Sequence, residues 1–177
     1  YTRSLHDALP ILAAASDAVR IGSADYALVA AAERLSDITD WTDRSSAIIF
    51  ADGAAAVVVG PADEPGIGPL VAGSDGSAAD LISMTPAGHL RMDGQSVFRW
   101  TTTTLGAVAR QICTAAGIEP SDLAAVVPHQ ANLRIINAIA KQLGASDAVI
   151  ADDIVDAGNT SSASIPLSLA RLRRECK

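Results

Sequence analysis

The stretch LAAVVPHQANLRIINAIAKQLGASDAVIADD, Leu123 to Asp153, decides the fold. Its first five residues are apolar and read as a buried strand that runs straight into Pro128 and His129. Over Ala131–Leu143 the apolar residues recur at helical spacing: Leu133, Ile136, Ile139, Ala140 and Leu143 share one face, with Arg134 and Lys141 elsewhere. Gly144 stands where a left-handed cap closes a helix, and AVIADD, Ala148–Asp153, reads as the next strand. Strands that alternate with helices in this way imply an α/β architecture.

Working outward, the same pattern continues on both sides. Leu12–Ile21 is an alanine-rich helix closed by Gly22, and YALVAAAE from Tyr26 is a short buried strand. After the polar stretch Arg34–Arg44, Ala47–Phe50 and Ala54–Gly60 read as strands flanking Ala51–Gly53, where small residues let another backbone approach closely. Pro61–Gly68 is a loop, Leu70–Gly76 a strand and turn, and Ala78–Gly94, which has no clear period, irregular cover. The spacing predicts a long helix over Gln95–Ala116, weakened locally by Thr101–Thr104 and ended by Gly117. A small-residue turn, Ala157–Ser164, then launches a final helix with Pro166 near its first turn.

Composition narrows the function. The 177 residues are enough for one domain, and 49% hydrophobic against 3% aromatic content means a core of Ala, Val, Ile and Leu. A formal charge of −7, with no basic stripe, argues against a nucleic acid partner. The longest apolar runs fall well short of the roughly 20 residues that a membrane helix needs. Cys113 and Cys176 are the only cysteines, so no disulfide framework and no metal-ligand spacing can be read, and a reducing cytoplasm is expected. The first residues lack the charged region and apolar stretch of a signal peptide. Ser4–Ile11, SLHDALPI, resembles the translation of a common sequencing-library adapter, so residues 1–11 are set aside as non-native.

Two polar clusters occupy equivalent places, each where a strand runs into a helix: PHQAN at Pro128–Asn132 and GNTSSAS at Gly158–Ser164. Sites in α/β sheets form at the carboxyl ends of strands, so both can face one cleft. An imidazole at His129 and a carboxamide at Asn159 can aim two N–H donors at one oxygen, which suits a thioester carbonyl becoming an enolate or oxyanion. On pattern alone the competing roles, helix-start histidine and cap or turn asparagine, are the commoner ones. Ser161, Ser162 and Ser164 lack a nucleophile elbow and read as capping residues. Cys113 reads as packing, Asp52 and Gly53 as a turn, and His89 as exposed with no carboxylate at useful spacing.

VVPHQANLRI with GNTSSASIPL, preceded by DWTDRSSAIIFADGAAAVVVG, resembles the β-ketoacyl-acyl-carrier-protein synthase III family, over about Ala13 to Leu172. The resemblance reverses the balance between the two roles. It implies a thiolase-like fold, layered αβαβα and incomplete here, with residues 12–60 closing the N-terminal half and 61–177 forming most of the C-terminal half. It further implies a homodimer, no cofactor beyond CoA-thioester and phosphopantetheine substrates, and a Cys-His-Asn triad that condenses acyl-CoA with malonyl-acyl carrier protein. By motif, His129 and Asn159 are the catalytic pair. Gln130, Ala131, Asn132, Leu133 and Arg134 form the carrier-binding segment, and Arg44 contacts the CoA nucleotide. The family's cysteine falls near Leu5, where the sequence has none, and the family continues beyond the last helix. The chain as written therefore lacks a nucleophile, and uncovered apolar sheet faces are expected. A polyketide starter-unit synthase and a non-catalytic carrier-binding paralogue share these motifs.

Overall fold

The computed structural model describes residues 8–64 and 66–175. Its eleven regular elements, counted over those residues, form a mixed α/β arrangement. Helix α1, Ala8–Arg20, is followed by the antiparallel pair β1, Ala27–Glu33, and β2, Gly53–Val59. Alternation decides how these pack. Val29 and Val59 turn inward onto Ala15, with Leu12 and Val19 alongside, while Leu28 and Val58 face outward at 69% and 67% exposure. One face of this pair is thus covered by α1 and the other is an uncovered apolar surface.

Residues 8–11, which the sequence sets aside, are part of α1. Leu9 and Ile11 remain substantially exposed, as expected of residues with no core to enter. Residues 1–7, including Leu5, lie outside the described residues, as does Cys176.

The second layer centres on α2, Gly94–Ala116, and α3, Leu133–Leu143. Asp93 caps α2 by accepting the Ser96 N–H at 3.1 Å and its hydroxyl at 2.8 Å, and these bonds hold its carboxyl below the usual carboxylate range. Gly117 and Gly144 close α2 and α3 with positive φ, as the sequence predicts. Close approach of the two helices needs Gly106, because a Cβ there would lie 2.7 Å from the Gln142 Cβ. Gln142 in turn donates its amide to the Thr102 carbonyl at 2.6 Å. Cys113, Leu143 and Ala145 form the core beneath, so Cys113 is the packing residue expected of it.

Strands β5, Ala125–Val126, and β6, Val149–Ile150, pair in parallel across α3. Both are shorter than their apolar runs. Proline at 128 has no N–H for a ladder, which helps to end the first. The strand expected over Ala47–Phe50 is instead a turn, with only Phe50 bridging in parallel to Asn159. Asp43 accepts from the Ser45 N–H and from the Ser45 and Ser46 hydroxyls, and local bonds of this kind compete with a sheet ladder. No strand forms over residues 70–76. The supposed cover contains a hairpin, β3 Ile82–Met84 and β4 Leu90–Met92. Segments of three residues are too short to show a period.

The described residues close with the single turn α4, Ile154–Ala157, and α5, Ser164–Glu175, which packs on β2. Arg171 on α5 reaches Asp153 at 3.3 Å and Glu175 at 2.9 Å, tying α5 to the segment before α4. Ser168 is fully buried on α5, and its hydroxyl has no hydrogen-bond partner among the described residues. Ser168→Ala should therefore keep or raise stability, by up to about 1 kcal/mol, since it removes an unsatisfied polar group. Thermal unfolding of the two proteins side by side checks this; a loss of more than about 1 kcal/mol would mean that the hydroxyl is bonded.

Candidate active site

His129 follows Pro128 at the end of β5, and its Nδ1 lies 2.8 Å from the Ser164 hydroxyl at the start of α5. Asn159 is held from the other side. Its N–H donates to the Ile49 carbonyl at 3.0 Å, and its carbonyl accepts the Ala51 N–H at 2.9 Å. Gly158, with φ 71° and ψ −172°, provides the backbone turn that delivers it. The carboxamide is oriented by the Ser161 N–H, which donates to Asn159 Oδ1 at 2.9 Å. A backbone N–H can pair only with the carboxamide oxygen, so the NH2 group is turned the other way. Ser161 makes this bond at φ 50°, where non-glycine residues rarely sit, and among the described residues it is the only non-glycine with positive φ.

His129 and Asn159 line one cavity of about 520 Å³. Its wall is apolar: Leu35, Phe50, Leu81, Leu90, Met92 and Ile135 contribute, with Ala131 near the histidine. The hairpin β3–β4 and the turn before it therefore form the cavity wall. Asp75 also lines the cavity, where it accepts the Ser77 hydroxyl at 2.5 Å and the Trp100 indole N–H at 3.1 Å. Those bonds, the serine hydroxyl first, hold its carboxyl below the usual range. Two N–H-bearing side chains on an apolar cavity are suited to a carbonyl oxygen that gains charge during reaction.

The remaining expected site residues divide. Gln130 is 1% exposed, and its side chain is engaged internally: Nε2 donates to the Pro128 and Ala151 carbonyls at 2.9 and 3.2 Å, and Oε1 accepts the Ile154 N–H at 3.0 Å. It joins the ends of β5 and β6 to the start of α4, so it supports the site from beneath and offers no side chain to a partner protein. Asn132 caps α3, accepting the Arg134 N–H at 2.8 Å. Leu133 is 39% exposed, whereas Ile136, Ile139 and Leu143 of the expected face are buried and Ile135 joins them. Arg134 is exposed, with its guanidinium carbon 5.2 Å from the centre of the Phe98 ring. Arg44 is exposed on the turn after Trp41 and does not line the cavity. His89 is half-buried, and a carboxylate that spacing could not reveal, Asp40, lies 3.9 Å from its Nδ1.

Two family models match the chain: 3-oxoacyl-[acyl-carrier-protein] synthase III over residues 8–76, and the C-terminal part of that synthase over residues 113–177. The chain belongs to the 3-oxoacyl-[acyl-carrier-protein] synthase III family. It is 51% identical over 166 residues to β-ketoacyl-[acyl-carrier-protein] synthase III 4 of Streptomyces coelicolor, covering 91% of this chain and 52% of that protein. The mycobacterial synthase III of Mycobacterium avium is 47% identical over 174 residues, with 91% and 52% covered. Among solved structures, the priming β-ketosynthase from the R1128 polyketide biosynthetic pathway matches with a TM-score of 0.88 at 44% identity, over 92% of this chain and 53% of that one. The synthase III of Aquifex aeolicus VF5 matches with a TM-score of 0.88 at 36% identity, over 95% and 55%.

The chain thus spans about half the length of the curated relatives it matches, and its architecture is a partial synthase III fold of the thiolase-like class. The cavity lined by His129 and Asn159 lies between α2, the β3–β4 hairpin and the two polar clusters. Cys113, buried between α2 and α3, does not line it.

Proposed function

We propose that the protein to which this chain belongs carries out the decarboxylative condensation of an acyl-CoA starter with malonyl-acyl carrier protein, and that this chain supplies the decarboxylating half of the site. The observation that carries the reading is the pairing of His129 with an oriented Asn159 on one apolar cavity. The malonyl thioester oxygen accepts hydrogen bonds from both side chains. As the bond to the carboxylate breaks, its electron pair passes into the enolate, whose oxygen stays between the two donors, and carbon dioxide leaves. The enolate carbon attacks the carbonyl of an acyl-cysteine thioester. The cysteine thiolate departs, and the product is a 3-oxoacyl-carrier protein. That cysteine is not among the described residues.

Arg134, exposed at the first turn of α3, is suited to meet an acidic carrier protein, with Asn132 near the pantetheine arm. Arg44 is suited to the phosphates of the CoA nucleotide, since guanidinium pairs with phosphate in a fork geometry. No further cofactor is required by this chemistry. Synthase III assembly as a homodimer in the cytoplasm belongs to the same proposal. No helix among the described residues is long and apolar enough to cross a membrane.

A second reading is favoured by the R1128 similarity: the same condensation serving as the priming step of a polyketide pathway. One experiment addresses both. Residues 12–175 replace the matching half of the Streptomyces coelicolor relative, and the purified chimera is assayed with a panel of acyl-CoA starters and malonyl-carrier protein. Release of carbon dioxide together with 3-oxoacyl product is expected, and the carrier and starter preferred separate the two pathways. A folded chimera that binds carrier protein but makes neither product would instead support the non-catalytic paralogue.

A further inference from the structure

We propose that Ser164 is a positioning residue that fixes neutral His129 in its Nε2–H tautomer. The inference rests on the reading in which His129 donates to the thioester oxygen, and it names the group that makes the ring a donor in that direction. Ser164 is 2% exposed and lies 35 residues beyond His129, brought to it by the docking of α5. Among the described residues its hydroxyl oxygen has two neighbours in hydrogen-bond range: the Gln130 N–H, which donates to it at 3.3 Å, and His129 Nδ1 at 2.8 Å.

A hydroxyl has one proton and can accept elsewhere. The Gln130 N–H is a donor in every state, so it occupies an acceptor site on Oγ. The serine proton then has one acceptor between these neighbours, the Nδ1 lone pair. With Nδ1 accepting, the neutral ring carries its proton on Nε2. The opposite tautomer would place two donors on one buried oxygen and leave the serine proton without an acceptor from this pair. The nitrogen that can donate is therefore Nε2, on a ring that lines the cavity.

The surroundings keep the hydroxyl in place. Ala163, Ile165 and Pro166 are buried on either side, and the Gln130 side chain ties the segment carrying His129 to the start of α4. Ser168 supplies the contrast: it is a buried serine one turn further along the same helix whose hydroxyl has no partner. Losing a buried serine hydroxyl from α5 is common to both variants; losing the contact with Nδ1 is particular to Ser164.

The test labels the chimera with ¹⁵N-histidine and records long-range ¹⁵N–¹H spectra at a pH above the histidine titration, with the His129 signals assigned by their loss in His129→Gln. The wild-type protein should give the Nε2–H pattern for His129. Ser164→Ala should shift it towards the Nδ1–H form and lower kcat by about 10-fold or more, in line with other partners that orient a functional histidine, with KM little changed. Ser164→Cys, which retains a weak donor, should fall between, and Ser168→Ala should match wild type in both spectrum and rate. An Nδ1–H pattern in the wild type overturns the inference with no variant needed, as does an unchanged pattern in either folded Ser164 variant. If the chimera is inactive but shows the Nε2–H pattern, the condensation reading fails while the tautomer assignment stands.

Discussion

His129→Ala, placed in the chimera, is expected to lower malonyl-carrier decarboxylation by on the order of 100-fold or more, the usual consequence of deleting one donor from an oxyanion site. The loss should appear in kcat. In the proposed mechanism both donors meet the thioester oxygen in the ground state, but their bonds strengthen as charge builds on it, so binding should suffer less than the chemical step. Asn159→Ala should cost a similar factor. Asn159→Asp should cost more, because a carboxylate oxygen can still accept the Ser161 N–H, which preserves the side chain's position while setting a negative charge beside the developing enolate. The double variant His129→Ala with Asn159→Ala should lose less than the product of the two single factors, since residues that act as a unit are non-additive. Trapping of released labelled carbon dioxide measures all four. A His129→Ala protein within a few-fold of wild type would remove the histidine from the mechanism, whatever the asparagine does.

How much of this could be read beforehand differs from element to element. The strand, helix and strand over residues 123–153 are legible because α3 has a 3.6-residue period and Gly144 a cap position, both local properties of the chain. The face of α3 is legible except at its start: Ile136, Ile139 and Leu143 are buried as the period implies, while on the first turn Ile135 is buried and Leu133 is exposed. The β3–β4 hairpin escapes because three-residue strands with Ile82 and Met84 exposed show no alternation to detect, yet it walls the cavity. Ala47–Phe50 misleads in the other direction. It is apolar and partly β-branched, but serine–aspartate bonds turn the chain just before it, and the Ala47 and Ile49 N–H groups donate back to the Asp43 and Ser46 carbonyls.

At the site, His129 and Asn159 are visible as residue types at the ends of strands, and the motifs give them a family. What orients them is not visible. The Ser164 hydroxyl is 35 residues from His129, and the Ser161 N–H belongs to the backbone, which no residue type announces. Gln130 shows the converse. Its place in the motif suggests contact with a partner, but the fold spends its three side-chain hydrogen bonds on two carbonyls and an N–H, a role that depends on residues up to 24 positions away.

Gly158→Ala is expected to be the most disruptive single methyl that can be added near the site. Two separate costs arise. The conformation at φ 71°, ψ −172° lies in a region that only glycine visits readily, which costs an alanine about 1–3 kcal/mol. The new Cβ would also stand 2.8 Å from the Ala51 Cβ, and relieving such an overlap in packed surroundings costs about 1–3 kcal/mol more. Together these amount to about 2–6 kcal/mol of stability, read from denaturant unfolding of the chimera. The rate should fall as well. Ala51 cannot retreat without moving the pair of bonds by which Ile49 and Ala51 hold the Asn159 backbone, and a displacement of about 1 Å at a reacting group costs on the order of 100-fold. Ala51→Gly separates the two costs. Combined with Gly158→Ala it removes the overlap and restores the register, so activity should recover substantially, while the strain of about 1–3 kcal/mol persists because the backbone angle is unchanged. A Gly158→Ala protein that loses less than about 1 kcal/mol would show that residue 158 can leave the glycine-only region without disturbing Asn159.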